Sequence, residues 1–189
     1  LLANPDVDAV EILTPYETHE RLAIDALKAE KHVAVQKPMA MSLASADRMV
    51  LAAARAKTVF KVTECYVCYP PIVLAKKLIN EGAIGEPAGM RIKYICSPHG
   101  GWDMTAATVK QQLEKAAKGF ALETFDHGHH EWATAWYLLG AIERVSAWID
   151  SVDGVLDCPA TIMWKYRSGK QYGTIDFMYA SQMHMPTKY

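Results

Sequence analysis

The first 81 residues of this 189-residue chain contain no glycine, since the first one is Gly82. A dinucleotide-binding fold needs a Gly-rich turn after its first strand, because backbone N–H groups must approach the pyrophosphate closely at a helix N-terminus. Residues 1–81 therefore cannot contain such a phosphate loop. The chain also begins with Leu1 rather than methionine. We therefore expect that an N-terminal segment is missing, and with it any signal peptide.

Cysteine is scarce as well. The four cysteines are too few and too scattered for a disulfide scaffold, which favours a reducing, cytoplasmic compartment. Twenty basic residues stand against 21 acidic ones, so there is no charge excess to attract nucleic acid or an anionic membrane. No apolar run is long enough to span a bilayer. The remaining class is a globular protein of one or two domains.

The first third of the chain alternates between strand and helix patterns. Apolar strand-like runs occupy residues 8–13, 32–36 and 58–63, and helical patterns occupy residues 19–30 and 43–57. This alternation is typical of a parallel sheet with right-handed crossovers. The first domain is accordingly predicted to be part of a Rossmann-type α/β fold covering residues 1–66.

Two X-Pro pairs end the first two strands. Thr14-Pro15 follows the first strand and Lys37-Pro38 follows the second, and proline cannot donate to a strand ladder. Both pairs therefore lie at the carboxyl edge of the sheet, where open α/β sheets hold ligands. Lys37 could contact a substrate hydroxyl or carbonyl there, although a lysine in this position is more often a surface loop residue.

The rest of the chain predicts an α+β domain over residues 67–189. A helix runs from Pro70 to Gly82, a strand covers residues 88–96, and residues 105–118 have helical composition. Beyond residue 140 the apolar period becomes two, with strands near residues 143–150, 161–166 and 174–179. We expect a largely antiparallel sheet that is incomplete at the C-terminus. Its aromatic stripe is either core or an oligomer interface.

Acidic and imidazole groups cluster near the middle of the chain. Asp126 and His130 are four residues apart, so a helix would place both on one face. A carboxylate beside an imidazole orients the ring and favours its protonated form. This pair suits a general base for a secondary alcohol, although a single histidine on a helix is more often structural.

Several motifs occur in an order that resembles the Gfo/Idh/MocA oxidoreductases, the family of glucose–fructose oxidoreductase and inositol dehydrogenase. The matching residues are Asp6-Val7-Asp8-Ala9-Val10 for D-x-D-A-V, Thr14-Pro15 with His19 for T-P-x-x-x-H, Lys37-Pro38 for the end of E-K-P, Gly82-Ala83-Ile84-Gly85 for G-x-I-G, and Asp126, Gly128 and His130 for D-x-G-x-H. The resemblance covers nearly the whole chain.

The resemblance implies a function and a set of roles. The expected reaction is NAD(P)-dependent oxidation or reduction of a CH–OH group of a sugar, polyol or glycoside, in a protein that forms a homo-oligomer through the C-terminal sheet. The implied catalytic residues are Lys37, Asp126 and His130. The implied cofactor contacts are Thr14, Pro15, His19, Gln36 and Lys37, and we add Trp102, Asp103 and His129 as candidate sugar contacts.

The chain departs from the family pattern at four positions. Tyr16 stands where an asparagine commonly follows Thr-Pro, and Gln36 replaces the glutamate of E-K-P. Ala133 stands where an acidic residue often follows the histidine, and Cys68 stands near an expected arginine. Because Lys37, Asp126 and His130 all remain, we expect a divergent dehydrogenase.

Two other functions fit the sequence less well. Without a phosphate loop, the chain could be a non-catalytic binding or oligomerisation module derived from that family. Cys65-x-x-Cys68 with the nearby histidines could also suggest zinc. A single C-x-x-C without a second paired motif is weak, so we assign no metal. The histidines concerned are His127, His129 and His130.

Overall fold

A computed structural model describes residues 1–96, 106–117, 122–151 and 156–180. By their internal contacts the residues form two compact units, Leu1–Cys65 and Tyr66–Tyr189.

The first unit is a fragment of a parallel α/β fold in which the two helices contact each other and pack on the sheet. Its strands are β1 (Ala9–Ile12), β2 (His32–Gln36) and β3 (Phe60–Thr63), which lie in the order β1-β2-β3 with both pairings parallel. Its helices are α1 (His19–Lys28), preceded by a short 3-10 helix at Tyr16–Thr18, and α2 (Leu43–Arg55). The predicted parallel sheet is confirmed.

The apolar core of this unit lies between the sheet and its two helices. Val33 and Val35 of β2 are buried, and Ala23 and Leu27 of α1 and Met49 of α2 are buried with them. Burial of such side chains contributes about 1.5–3 kcal/mol for each large one. This packing fixes the strands, and therefore the two loops that leave their carboxyl ends.

The helix starts differ from one another. Ser42 caps α2, since its hydroxyl accepts a hydrogen bond from the Ser45 N–H at 3.2 Å. Thr18 stands at the corresponding position of α1, but its hydroxyl donates to the Pro15 carbonyl at 2.8 Å instead. This hydrogen bond links two residues of the loop that follows β1 and stabilises its conformation.

Within its described residues, the second unit combines three α-helices with a four-stranded sheet. Its helical elements are a 3-10 turn at Tyr66–Cys68, α3 (Pro70–Asn80), α4 (Ala106–Ala116), a π-helix at Leu122–His127 and α5 (Gly128–Leu139); its strands are β4 (Gly89–Cys96), β5 (Ile142–Ile149), β6 (Ala160–Tyr166) and β7 (Tyr172–Tyr179). The strand order is β4-β7-β6-β5. The β7–β6 and β6–β5 pairs are antiparallel and the β4–β7 pair is parallel. Two of the three pairs are antiparallel, so the predicted largely antiparallel sheet is confirmed, with β4–β7 as a parallel pair at its edge.

One face of this sheet packs against α5. Trp164, Tyr166 and Phe177 are buried on that face, and Trp132 of α5 meets Trp164 edge to face at 5.3 Å. Gly173 lies directly beneath the Trp164 indole, because a Cβ at this position would come within 2.0 Å of Trp164 Cε2. The absence of a side chain at Gly173 is what allows Trp164 to fill the core.

The opposite face of the sheet is exposed and partly apolar. Trp148, Met163, Tyr172 and Met178 lie on it with between 45% and 70% of their surface exposed. Among the described residues, no helix combines the length and the hydropathy needed to cross a bilayer.

Candidate active site

Four of the predicted cofactor residues lie at the carboxyl edge of the first sheet. Thr14 and Pro15 follow β1 and are exposed, and Gln36 and Lys37 end β2 and are half-buried. The Lys37 N–H donates to the Gln36 Oε1 at 2.8 Å, which fixes the backbone just before Pro38. Because β1 and β2 are neighbouring parallel strands, these side chains share one edge of the sheet.

His19 is buried between the loops that follow β1 and β2. Its side chain is fully buried, with Nδ1 3.0 Å from the Pro38 carbonyl oxygen and Nε2 2.9 Å from the Thr14 carbonyl oxygen. Both ring nitrogens are occupied and no part of the residue is exposed. His19 therefore joins the loops after β1 and β2, and a direct contact of His19 with the cofactor stays a prediction.

Asp126 and His130 belong to the second unit and are both half-buried. Asp126 lies in the π-helical segment, whereas His130 lies in the first turn of α5. We expected one regular α-helix across both residues. The π turn holds more residues than an α turn, so it changes the direction of Asp126 relative to His130, and such turns are frequent at functional sites.

Asp157 holds the start of the π-helix. Its carboxylate accepts hydrogen bonds from the Glu123 N–H at 2.8 Å and the Thr124 N–H at 2.7 Å, and from the Thr124 hydroxyl. The first N–H groups of a helix have no partners within it, so this side chain satisfies two of them. Sequence reasoning missed Asp157 because it lies more than 30 residues downstream, with no local pattern to connect the two.

Gly128 is required by close packing. A Cβ at this position would lie 3.1 Å from both the Glu123 carbonyl oxygen and Phe177 Cζ, and 3.3 Å from Trp132 Nε1. The glycine between Asp126 and His130 therefore lets the helix start approach the sheet closely.

An aromatic ring fixes the plane of the His130 imidazole. Tyr66 stacks on it with ring centroids 4.1 Å apart and an interplanar angle of 14°. His127 and His129 each contact the same imidazole edge-on at 6.4 Å. Tyr66 was not predicted from sequence, since it lies in a short turn with no motif of its own.

Glu123 is a second ionisable group beside this site. Burial raises the pKa of its carboxyl from 4.5 to about 7. A hydrogen bond from the Tyr94 hydroxyl opposes the rise, and the negative charges of Asp157 and Asp126 add to it. Its Oε2 is buried without a hydrogen-bond partner. Glu123 was also missed by sequence reasoning.

Two predicted sugar contacts, Trp102 and Asp103, lie outside the described residues. The third, His129, is half-buried beside His130. Cys65 and Cys68 are both exposed free thiols.

Family comparison matches both parts of the chain. Residues 1–64 match the family described as "Oxidoreductase family, NAD-binding Rossmann fold", and residues 72–187 match the "GFO/IDH/MocA C-terminal domain".

Several of the similar curated proteins are dehydrogenases. The chain is 36% identical over 95 residues to levoglucosan dehydrogenase of Pseudarthrobacter phenanthrenivorans, covering 50% of this chain and 24% of that protein. It is 29% identical over 184 residues to D-apiose dehydrogenase of Paraburkholderia graminis, covering 96% and 46%. It is 33% identical over 92 residues to myo-inositol 2-dehydrogenase of Thermotoga maritima, covering 49% and 28%. The chain thus matches less than half of each of these three relatives.

Solved structures have the same fold. A levoglucosan dehydrogenase in complex with NADH and levoglucosan superposes with a TM-score of 0.80 at 26% identity, covering 94% of this chain and 49% of that one. An oxidoreductase from Agrobacterium radiobacter in complex with NAD+, L-tartaric acid and magnesium gives 0.82 at 26% identity, covering 98% and 52%.

Proposed function

Because the chain belongs to the Gfo/Idh/MocA oxidoreductase family, we propose that the protein carrying it is an NAD(P)-dependent dehydrogenase acting on a CH–OH group of a sugar, polyol or glycoside. The observation that carries the proposal is the setting of His130. Its half-buried imidazole is held in plane by Tyr66 at the start of α5, four residues after Asp126. The names of the similar proteins support a sugar or polyol as substrate.

The residues of the first unit fit one end of a nicotinamide cofactor. Thr14, Gln36 and Lys37 offer a hydroxyl, an amide and an ammonium group along one accessible sheet edge, which suits the polar nicotinamide and its ribose. The pyrophosphate needs a Gly-rich loop, which residues 1–81 do not contain. We therefore assign to these residues the nicotinamide side of the cofactor site, for NAD or NADP alike.

The three catalytic residues divide the handling of the hydroxyl group. Bound nicotinamide would supply the hydride acceptor. The His130 imidazole accepts the proton of the substrate hydroxyl, and the Asp126 carboxylate orients the ring or relays the proton. The Lys37 ammonium binds the reacting oxygen and offsets the negative charge that develops on it. In the reverse direction His130 returns the proton to the carbonyl oxygen.

Replacing His130 with glutamine tests this assignment. We expect kcat/KM of sugar oxidation to fall about 10²–10⁴-fold, because the glutamine amide cannot accept the proton. Asp126→Asn should give a smaller loss, because it leaves the proton-accepting imidazole in place. Trp136→Phe, which changes an exposed residue of the same helix, is the control and should leave the rate unchanged. Wild-type activity in His130→Gln would refute the general-base role.

We also propose that the protein is a homo-oligomer that associates through the exposed face of its second sheet. The apolar side chains that support this are Trp148, Met163, Tyr172 and Met178, which form an unusually apolar exposed surface. The exposed thiols of Cys65 and Cys68 support a reducing, cytoplasmic location.

A further inference from the structure

His19 is the most completely buried ionisable side chain of the first unit that the mechanism above does not use. None of its surface is exposed, and it has two hydrogen-bond partners, the carbonyl oxygens of Pro38 at 3.0 Å and Thr14 at 2.9 Å. Both partners can only accept hydrogen bonds. The two contacts therefore call for an N–H donor on each ring nitrogen.

A neutral imidazole cannot meet this requirement. It carries one N–H and one lone pair, so one ring nitrogen would face a carbonyl oxygen lone pair to lone pair. In a buried site, a polar atom that is left without its hydrogen bond destabilises the folded state. An imidazolium has two N–H groups, and its charge strengthens both hydrogen bonds.

We propose that His19 is a doubly protonated imidazolium that bridges the loops after β1 and β2 and thereby positions Lys37. The protonation state follows from the two carbonyl contacts alone. The positioning of Lys37 for catalysis rests on the proposed function.

The bridge fixes the backbone on the far side of Lys37. Pro38, whose carbonyl oxygen His19 binds, follows Lys37 directly and is buried, while the Lys37 N–H on the near side donates to Gln36. The Lys37 backbone is therefore held before and after the residue. The Lys37 side chain therefore starts from a fixed backbone position at the edge of the sheet. A group that must contact one particular substrate oxygen needs such a fixed position.

The other end of the bridge is rigid too. Thr14 binds His19 through its carbonyl oxygen, and its hydroxyl lies 2.6 Å from the Thr18 hydroxyl. Because Thr18 donates its own proton to Pro15, the Thr14 hydroxyl is the donor in that contact. His19 thus connects the second loop to one that is already braced.

Three charged residues lie near His19 and Pro38 in the sequence. Glu17 and Glu20 lie on the α1 side, and Lys37 lies on the β2 side. The Glu20 carboxylate is already paired with Arg48 and accepts a hydrogen bond from the Ser45 hydroxyl. The Pro38 and Thr14 carbonyl oxygens contact the two ring nitrogens of His19 directly, and their partial negative charges favour the imidazolium.

Nitrogen NMR of the ¹⁵N-histidine-labelled chain tests the protonation state directly at pH 7. We expect both ring nitrogens of His19 to have the shifts of protonated nitrogens and to show N–H protons that exchange slowly with water. His32, the first residue of β2, is the matched control. Its Nδ1 accepts the Val59 N–H at 3.0 Å and should appear as an unprotonated nitrogen. An unprotonated ring nitrogen in His19 would overturn the imidazolium.

The positioning role is tested by kinetics of the full-length dehydrogenase. The N–H groups of glutamine are on one nitrogen, so glutamine cannot replace two ring nitrogens that face separate carbonyl oxygens. His19→Gln should therefore lower kcat about tenfold or more. His32→Gln, the control, should leave kcat unchanged. In the Lys37→Ala background, His19→Gln should have no further effect, because the residue acts through Lys37. An equal loss in both backgrounds would show that His19 supports the fold and does not position Lys37. Doubly protonated His19 in a protein that has no dehydrogenase activity would refute the proposed function and leave the bridge standing.

Discussion

Replacement of Lys37 with alanine is expected to lower kcat for sugar oxidation by about 10²–10⁴-fold while the fold stays intact. Lys37 is half-buried at the carboxyl end of β2, with its backbone held by Gln36 on one side and, through Pro38, by His19 on the other. Its ammonium group offsets the charge that forms on the reacting oxygen. Alanine removes that charge and leaves the buried strand β2 unchanged, so the loss should fall on the rate and not on stability.

The measurement is steady-state turnover together with the unfolding temperature of each variant. Lys61→Ala is a suitable control, because Lys61 is an exposed lysine on the adjacent strand β3. It should reproduce the wild-type rate. Near-normal turnover in Lys37→Ala would remove Lys37 from the catalytic set and with it the main role assigned to the first unit.

Replacement of Glu123 with glutamine is expected to change how stability depends on pH. In the folded chain, burial raises the pKa of Glu123 from 4.5 to about 7, so the folded state holds this proton more tightly than the unfolded state does. The resulting stabilisation is complete below about pH 4.5 and is lost as the pH rises to about 7. Glutamine cannot ionise, so the variant does not have this loss.

The expected difference is large for one side chain. Between pH 4.5 and pH 7 the free energy of unfolding of the wild type should fall by about 3 kcal/mol relative to Glu123→Gln. Urea unfolding at several pH values measures this difference, and Glu143→Gln, an exposed glutamate on β5, is the control with no expected effect. If the free energy of unfolding changes with pH in the same way in the wild type and in Glu123→Gln, burial does not raise the pKa of Glu123.

Much of the fold could be predicted because its signals are local. The alternating strands and helices of residues 1–65, the proline stops after β1 and β2, and the period of two beyond residue 140 each depend on a few neighbouring residues. The parallel pairing of β4 with β7 could not be read in this way. It joins strands some 80 residues apart in the chain, and no local pattern specifies which edge β4 takes.

Only the residues of the candidate site that belong to short sequence motifs could be predicted. Lys37, Asp126, Gly128 and His130 follow from short spacings, whereas the residues that hold them come from elsewhere. Asp157 lies in a distant loop and accepts hydrogen bonds from N–H groups at the start of the π-helix. Tyr66 lies in a short turn and stacks on His130. The π turn itself was missed, since a sequence with helical composition favours the regular α-helix.

His19 shows why a matched motif position does not give a role. Its place in T-P-x-x-x-H suggested a cofactor contact, because it lies near the cofactor edge of the sheet. Burial and the two carbonyl contacts give it a structural role that the motif does not predict, and this role depends on a loop about twenty residues further along the chain.

The most direct test of the dehydrogenase proposal is reduction of NAD and NADP by the full-length protein that carries these residues. The assay follows reduced nicotinamide by absorbance across a panel of sugars, polyols and anhydrosugars that includes levoglucosan, D-apiose and myo-inositol. We predict reduction with at least one member of the panel, lowered at least a hundredfold by Lys37→Ala. A folded protein that binds NADH and yet reduces neither cofactor with any member would contradict the account.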